Sequence, residues 1–395
     1  MVTRPTIRLK PREGRRARAG APWIFSNEIA MDAIAKTLAP GSLVNVEGSD
    51  GRAFGVGYFN TKTLIAARLF ECPPATAVDR HFLAARLAHA LELRKTFFDE
   101  PYYRLVHAEG DGLPGLVIDR FADTLVVQIS TAGMEGLLSS LLPAIDDALS
   151  PKCVVLRADA SMRALEGLDF YVRIAKGEEI QRVRLEENGT PYFADIAAGQ
   201  KTGWYYDQRE NRAFMARLAN GKSVLDTYCF TGGFAILAAT AGAREVVGID
   251  SSEPALALAE EAAIAARVSQ RCRFIRADVM EELERLAQTG ETFDMVICDP
   301  PPFARARKDI EAAARAYRKL ARLSAAVTRP NGLLLLASCS HNISLERFGE
   351  ECAAGILRSG RRASVVRVAG AGADHPAHPM LPETAYLKSL IFALD

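Results

Sequence analysis

From residue 223 onward, short apolar runs alternate with longer stretches whose apolar residues recur at helical spacing. The runs at 224–226, 245–250, 273–276, 294–298 and 333–338 predict strands, and the stretches at 232–241, 253–267, 279–288, 309–326 and 344–357 predict helices. Strands that take turns with helices build a parallel sheet covered on both faces, so this half reads as a doubly wound, Rossmann-like α/β domain. Ligands of such sheets lie beyond the carboxyl ends of the strands.

The first half has a different rhythm. Two apolar runs, 43–46 and 53–58, flank Asp50-Gly51, a hairpin signal, and Gly55 and Gly57 suggest a bulged or closely packed strand. A small β-barrel of about seventy residues fits this pattern and ends near Cys72-Pro73-Pro74. Trp23 and Phe25 read as its core. Helical spacing follows from 79 to 98 with Asp79 as N-cap, then three short strands separated by Glu109-Gly110-Asp111-Gly112 and by Phe121-Ala122-Asp123. A helix at 132–149 and a strand at 153–156 complete a central α+β module. Runs at 180–185 and 191–195 around Asn188-Gly189 predict a tight hairpin. The expected domains are 1–72, 73–187 and 188–395.

Composition narrows the class. A chain of 395 residues with 49% hydrophobic content can bury a large core. No apolar run approaches the ~20 residues that span a bilayer, and the start has no apolar segment resembling a signal peptide, so the cytoplasm is the expected location. The seven cysteines contain no C-x-x-C pair, which argues against a disulfide framework or a zinc site. The net charge is +1, yet Arg4, Arg8, Lys10, Arg12, Arg15, Arg16 and Arg18 cluster at the start with only Glu13 against them. Such a cluster can neutralise nucleic-acid phosphates, and a solvated, fraying terminus explains it equally well. Glu109, Asp111 and Asp119 resemble a metal cluster, but turn chemistry explains Asp111-Gly112 more simply.

The candidate chemistry is centred on VLDTYCFTGGFAILAATAGAREVVGID, residues 224–250, a β-α-β unit. Its glycines let backbone approach a ligand, and Asp250 can accept hydrogen bonds from ribose hydroxyls. G-x-G-x-x-G is absent, which favours a nucleoside-like ligand such as S-adenosylmethionine over a dinucleotide. Before it, GQKTGWYYDQRENRAF gathers Lys201, Thr202, Tyr206, Asp207, Gln208 and Arg209, a ligand-facing density of polar groups. At the predicted strand ends stand Asp226 with Thr231-Gly232-Gly233, then Asp250, Asp278, Asp299-Pro300-Pro301-Pro302-Phe303 and Ser338-Cys339-Ser340. Tyr228 and Ser251, beside the first two ends, complete the candidate cofactor set.

That order resembles a class I S-adenosylmethionine-dependent methyltransferase. The combination of KTGWYYDQRENR, DPPPF and SCS, downstream of a small barrel and of YRLVHAEGDGLPGLVIDRF, resembles the bacterial 23S ribosomal RNA cytosine-5 methyltransferases that carry an N-terminal PUA domain. The resemblance spans essentially the whole chain. It implies an RNA-binding PUA barrel, a central module related to RNA-modifying enzymes, a catalytic domain using S-adenosylmethionine, and 23S rRNA as partner, with room for a homodimer. In this scheme Cys339 is the nucleophile and Asp299 contacts the base and the cofactor side of the site. DPPPF is shared with enzymes that methylate base nitrogens, so that reaction remains an alternative, as does a non-catalytic RNA-binding or ribosome-assembly factor. Cys298 reads as packed in its strand, Cys229 as part of the cofactor turn, and His341 has no assigned role. His375 and His378 beside Asp374 read as a Pro-rich loop.

Overall fold

The computed structural model describes residues 4–199, 202–304 and 306–395. The chain divides into two units, one holding the residues up to Val183 with Asp195–Trp204 and Ala373–Ala385, the other Arg184–Ala194, Tyr205–Gly372 and Tyr386–Asp395.

In the first unit the alternating N-terminal pattern forms β1 (Thr6–Leu9), β2 (Trp23–Phe25), β3 (Ile29–Ala30), β4 (Ser42–Glu47), β5 (Ala53–Phe59) and β6 (Ile65–Leu69). They make one sheet in the order β2-β6-β5-β4-β1-β3 around a core that includes Ile7, Ile24, Val44 and Phe59. The basic start does not fray: Thr6 to Arg8 pair with β4, and Arg8 and Leu9 with β3. Trp23 and Phe25, expected in this core, are both half-buried and lie outside it: the Trp23 indole N–H donates to Glu109 (2.7 Å) with Arg68 over its ring, and Arg16 lies over the Phe25 ring.

The second sheet of this unit has the order β11-β10-β9-β8-β7, from β7 (Tyr102–His107), β8 (Leu116–Phe121), β9 (Thr124–Ile129), β10 (Cys153–Ala158) and β11 (Tyr171–Lys176). Asp79 caps the helix Arg80–Phe97 as expected, accepting from the His81 and Phe82 N–H groups. The expected helix at 132–149 is two helices, Ala132–Gly136 and Leu138–Leu149, and β11 has no counterpart in the sequence reading. The acids that resemble a metal cluster are each held by an arginine: Glu109 by Arg68, Asp111 by Arg94 and Asp119 by Arg104.

The hairpin β12 (Arg182–Glu187) and β13 (Thr190–Asp195) turns through Asn188 at φ 52° and Gly189 at φ 71°, the left-handed pair a two-residue turn requires. The other unit contains β14 (Ser223–Thr227), β15 (Glu245–Asp250), β16 (Cys272–Arg276), β17 (Phe293–Cys298), β18 (Thr328–Ser338), β19 (Ala363–Ala369) and β20 (Lys388–Leu394). Their order is β16-β15-β14-β17-β18-β20-β19. The five strands from β16 to β18 are parallel. The sequence of connections reverses direction at the β14/β17 neighbour pair, which opens a crevice at their carboxyl ends. The sheet departs from the expected all-parallel form at one place: β20 runs antiparallel between β18 and β19. Leu225, Val247, Val296, Leu334, Tyr317, Phe348 and Leu390 lie in its continuous core.

Candidate functional site

β14 is buried along its whole length and delivers the chain into a contorted turn. Tyr228 (φ 59°) and Phe230 (φ 51°) adopt left-handed backbone that side chains other than glycine disfavour, and Gly232 follows at φ 79°. Two carboxylates hold this turn. Asp250 Oδ2 accepts the Phe230 N–H (2.9 Å), and Asp226 Oδ2 accepts the Ala235 N–H (2.9 Å) from the helix Gly233–Thr240. A side chain at Gly232 would meet Ile236 at 2.8 Å and Ala259 at 3.1 Å, so glycine is required by packing as well as by φ.

The acids of the strand ends have different surroundings. Asp226 is almost wholly buried; burial pushes its carboxyl up to about 8, the Ala235 N–H opposes this, and the charges of Asp299 and Asp250 add to it. Asp250 is half-buried, with Oδ1 accepting the Ser252 N–H (2.8 Å). Each of its oxygens keeps a lone pair for a further donor. Ser251 is exposed beside it. Asp278 is exposed and caps the helix Val279–Thr289 through Met280 and Glu281.

The segment before the helix Arg209–Ala216 supplies aromatic walls. The Tyr205 ring meets Phe230 edge-on at 5.2 Å. Its hydroxyl is pushed above the ordinary tyrosine range by burial and then by the charges of Asp207, Asp299, Cys339 and Asp250, so these groups converge around it. Tyr206 is buried under the Arg209 guanidinium, 5.4 Å from the ring centre. Tyr386 donates its hydroxyl to Asp207 (2.6 Å) and stacks with His341 at 5.2 Å.

At the ends of β17 and β18, Asp299 and Cys339 are both half-buried. The two following loops are tied together: Ser340 Oγ accepts the Ala304 N–H (3.1 Å), and Asn342 donates to the Ala304 carbonyl (3.2 Å). This brings the Cys339 sulfur to 4.0 Å from the Pro300 carbonyl oxygen. The neighbouring thiols are different. Cys298 is fully buried against Ser324 (3.0 Å), and burial pushes it up to about 11. Cys229 is also buried, its thiol raised by burial and by Asp226 and Asp250.

Residues 167–393, more than half of the chain, match the S-adenosylmethionine-dependent methyltransferase family. The chain belongs to this family. Residues 7–71 of this methyltransferase match a PUA-like domain. It is 35% identical to ribosomal RNA large subunit methyltransferase I of Shewanella amazonensis, over 98% of both chains. It is 36% identical to the protein of the same name from Aeromonas salmonicida, over 94% of both. Among solved structures, a chain from Streptococcus mutans assigned to the SAM-dependent methyltransferases matches its fold with a TM-score of 0.83 at 18% identity, over 98% of this chain and 100% of the other. A further methyltransferase fold, crystallised with SAH, matches with a TM-score of 0.85 at 18% identity and the same coverage.

The cofactor of the family is S-adenosylmethionine, and the groups assembled here suit it. Among the described residues, Thr231 Oγ1 and Gln208 Nε2 are buried without a hydrogen-bond partner, two donors in need of an acceptor. Asp250 offers the acceptor that ribose hydroxyls need.

Thr202 is fully buried and its hydroxyl donates to Asp119 (2.5 Å). Lys201 lies outside the described residues. Conversely, the sequence reading does not single out Tyr205, Tyr386 or Lys388. The run Trp204-Tyr205-Tyr206 is a signal for the first, but the other two belong to a C-terminal segment that was not read as part of the sheet.

Proposed function

We propose that this methyltransferase forms 5-methylcytosine in large-subunit ribosomal RNA, 23S rRNA, through a covalent bond from Cys339. The observation that carries the reading is the approach of the half-buried Cys339 sulfur to the Pro300 carbonyl, which joins the thiol to the Asp299 loop on one rim. The substrate class rests on the names of the full-length relatives. It is supported by Arg8, Lys10, Arg12, Arg15 and Arg18, which are exposed on the PUA-like domain and able to meet phosphates.

C5 of cytosine is a poor nucleophile. The Cys339 thiolate adds to C6, forming the S–C6 bond and moving the ring electrons towards C5, which then takes the methyl group. S-adenosylmethionine, when bound, supplies that methyl as an electrophile and departs as S-adenosylhomocysteine. Asp299 meets the N3/N4 edge of the base, accepting from the N4 amino group, and orients the ring as the thiolate adds. A base, Asp299 or water, takes the C5 proton; the C5–H electrons restore the double bond, the S–C6 bond breaks and Cys339 leaves as thiolate. Tyr206, Gln208, Arg209, Asp226, Tyr228, Thr231, Gly232, Gly233, Asp250, Ser251 and Asp278 are assigned to the cofactor side, with Asp226 acting through the turn it holds.

RNA containing 5-fluorocytidine tests this route, because fluorine at C5 blocks the final proton loss and traps the adduct. The wild-type protein is expected to form a denaturation-resistant adduct and Cys339→Ala none. An unchanged methylation rate in Cys339→Ala would remove the covalent route. Mass spectrometry of the modified nucleoside separates 5-methylcytosine from a base methylated on nitrogen.

A further inference from the structure

Lys388 opens β20 and stands directly across the antiparallel ladder from Ser338, the last residue of β18, so Cys339 follows one residue beyond this pair. The lysine is only 8% exposed. Its Nζ donates to the Ser340 carbonyl (2.7 Å) and the Ile343 carbonyl (3.0 Å), both in the loop that begins with the thiol. Two carbonyls satisfy two of the three ammonium protons and do not neutralise its charge. Among the described residues, Lys388 makes no ion pair with a carboxylate. A buried cation without an anion is costly, and a neighbouring group that can become anionic relieves that cost.

We propose that Lys388 is a positioning residue for Cys339, its buried ammonium holding the 340–343 turn in place and favouring the ionised sulfur over the thiol. This rests on the reading of Cys339 as the nucleophile. Burial pulls the lysine below its ordinary range and the charge at Cys339 pushes it back up, the reciprocal of the same interaction. The other ionisable groups around the thiol come from separate elements. Tyr317, on the helix Ile310–Ala326, bonds Ser338 (2.7 Å) one residue before the thiol, and Tyr205 lies in the segment before Arg209–Ala216; burial raises both hydroxyls, and a charge at Cys339 adds to it. Asp299, which also acts on Tyr205, opposes a thiolate, and His341 stands two residues along the chain. Lys388 is the cation set against that acid. The thiol proton passes to solvent, the ammonium keeps its own protons, and the negative charge moves from sulfur to the pyrimidine when the bond to C6 forms.

The test is the pH dependence of Cys339 alkylation by iodoacetamide in the full chain, resolved by peptide mass spectrometry from the half-buried Cys72 and Cys272. Lys388→Met is expected to move the Cys339 profile to higher pH and slow alkylation at pH 7 by about three- to ten-fold, while Lys388→Arg restores most of the difference. Superimposable wild-type and Lys388→Met profiles, or equal shifts in both variants, would overturn the proposal. If Lys388→Met does not fold, the wild-type profile decides: an apparent pKa at or above about 8.5, the value of a free cysteine, overturns it, and a lower one supports it. The trapped-adduct experiment with Cys339→Ala is separate, so loss of the covalent route leaves a distinct result from loss of the lysine effect.

Discussion

A carboxyl group enclosed at the end of β14 has a consequence for stability. Asp226 has an ordinary value near 3.8 when unfolded and is held at about 8 in the fold, chiefly by burial. Between those values the folded chain keeps a proton that the unfolded chain has lost, so this group's contribution is full below about pH 4 and is lost as pH rises towards 8. Asp226→Asn cannot titrate. Urea midpoints from pH 5 to 8 should therefore fall more steeply for wild type than for the variant, and parallel curves would contradict the assignment. The same residue shows what was legible at this scale. Acids at strand ends can be found because apolar runs reveal where strands stop, and the turn glycines mark the backbone that must bend. Tyr205 could not be ranked above Tyr206, since only the fold brings Asp207, Asp250, Asp299 and Cys339 around it. Thr202 looked equivalent to its polar neighbours, but its hydroxyl is committed to Asp119.

Regular alternation made the parallel strands readable, whereas β19 and β20 were missed for a physical reason. KSLIFAL is a short apolar run whose periodicity does not distinguish a buried strand from a buried helix segment, and no local signal announces insertion between β18 and β19. Pro330-Asn331-Gly332 hid the start of β18 in the same way, because it reads as a turn. The hairpin β12–β13 was legible from Asn-Gly, but its anchor was not. Arg212, on the helix Arg209–Ala216, donates to both Glu187 oxygens (2.6 and 3.0 Å) and to the Tyr205 carbonyl (2.7 Å). Both side chains are buried. Arg212→Met removes both short hydrogen bonds to the buried Glu187 carboxylate, with Arg209 remaining at 3.8 Å, and should cost about 3–5 kcal/mol, while Arg212→Met with Glu187→Gln should cost clearly less. Chemical denaturation of the two single variants and the double variant measures this coupling. Additive losses would show that the pair does not anchor the hairpin.

The chain does not complete one unit before beginning the other. Unit boundaries fall after Val183, Ala194, Trp204, Gly372 and Ala385, so the last residues serve both units in turn. Ala373–Ala385 gives the first unit Asp374, whose carboxylate accepts the Arg104 N–H (3.0 Å) and whose carbonyl accepts from Arg94 (2.9 Å). The residues after it give the second unit β20, on which β19 depends for its place in the sheet. Two truncations should therefore behave differently. A chain ending at Ala385 loses β20, which exposes the edge of β18 and leaves β19 unpaired; hydrogen exchange should accelerate across β14, β17 and β18, while peptides from β7 to β9 keep their protection. A chain ending at Gly372 also leaves the buried Arg94 and the Arg104 backbone without the partners that Asp374 provides, so protection should fall in β7 as well. Equal exchange in β7 for the two truncations would mean that Ala373–Ala385 does not stabilise the unit into which it is folded.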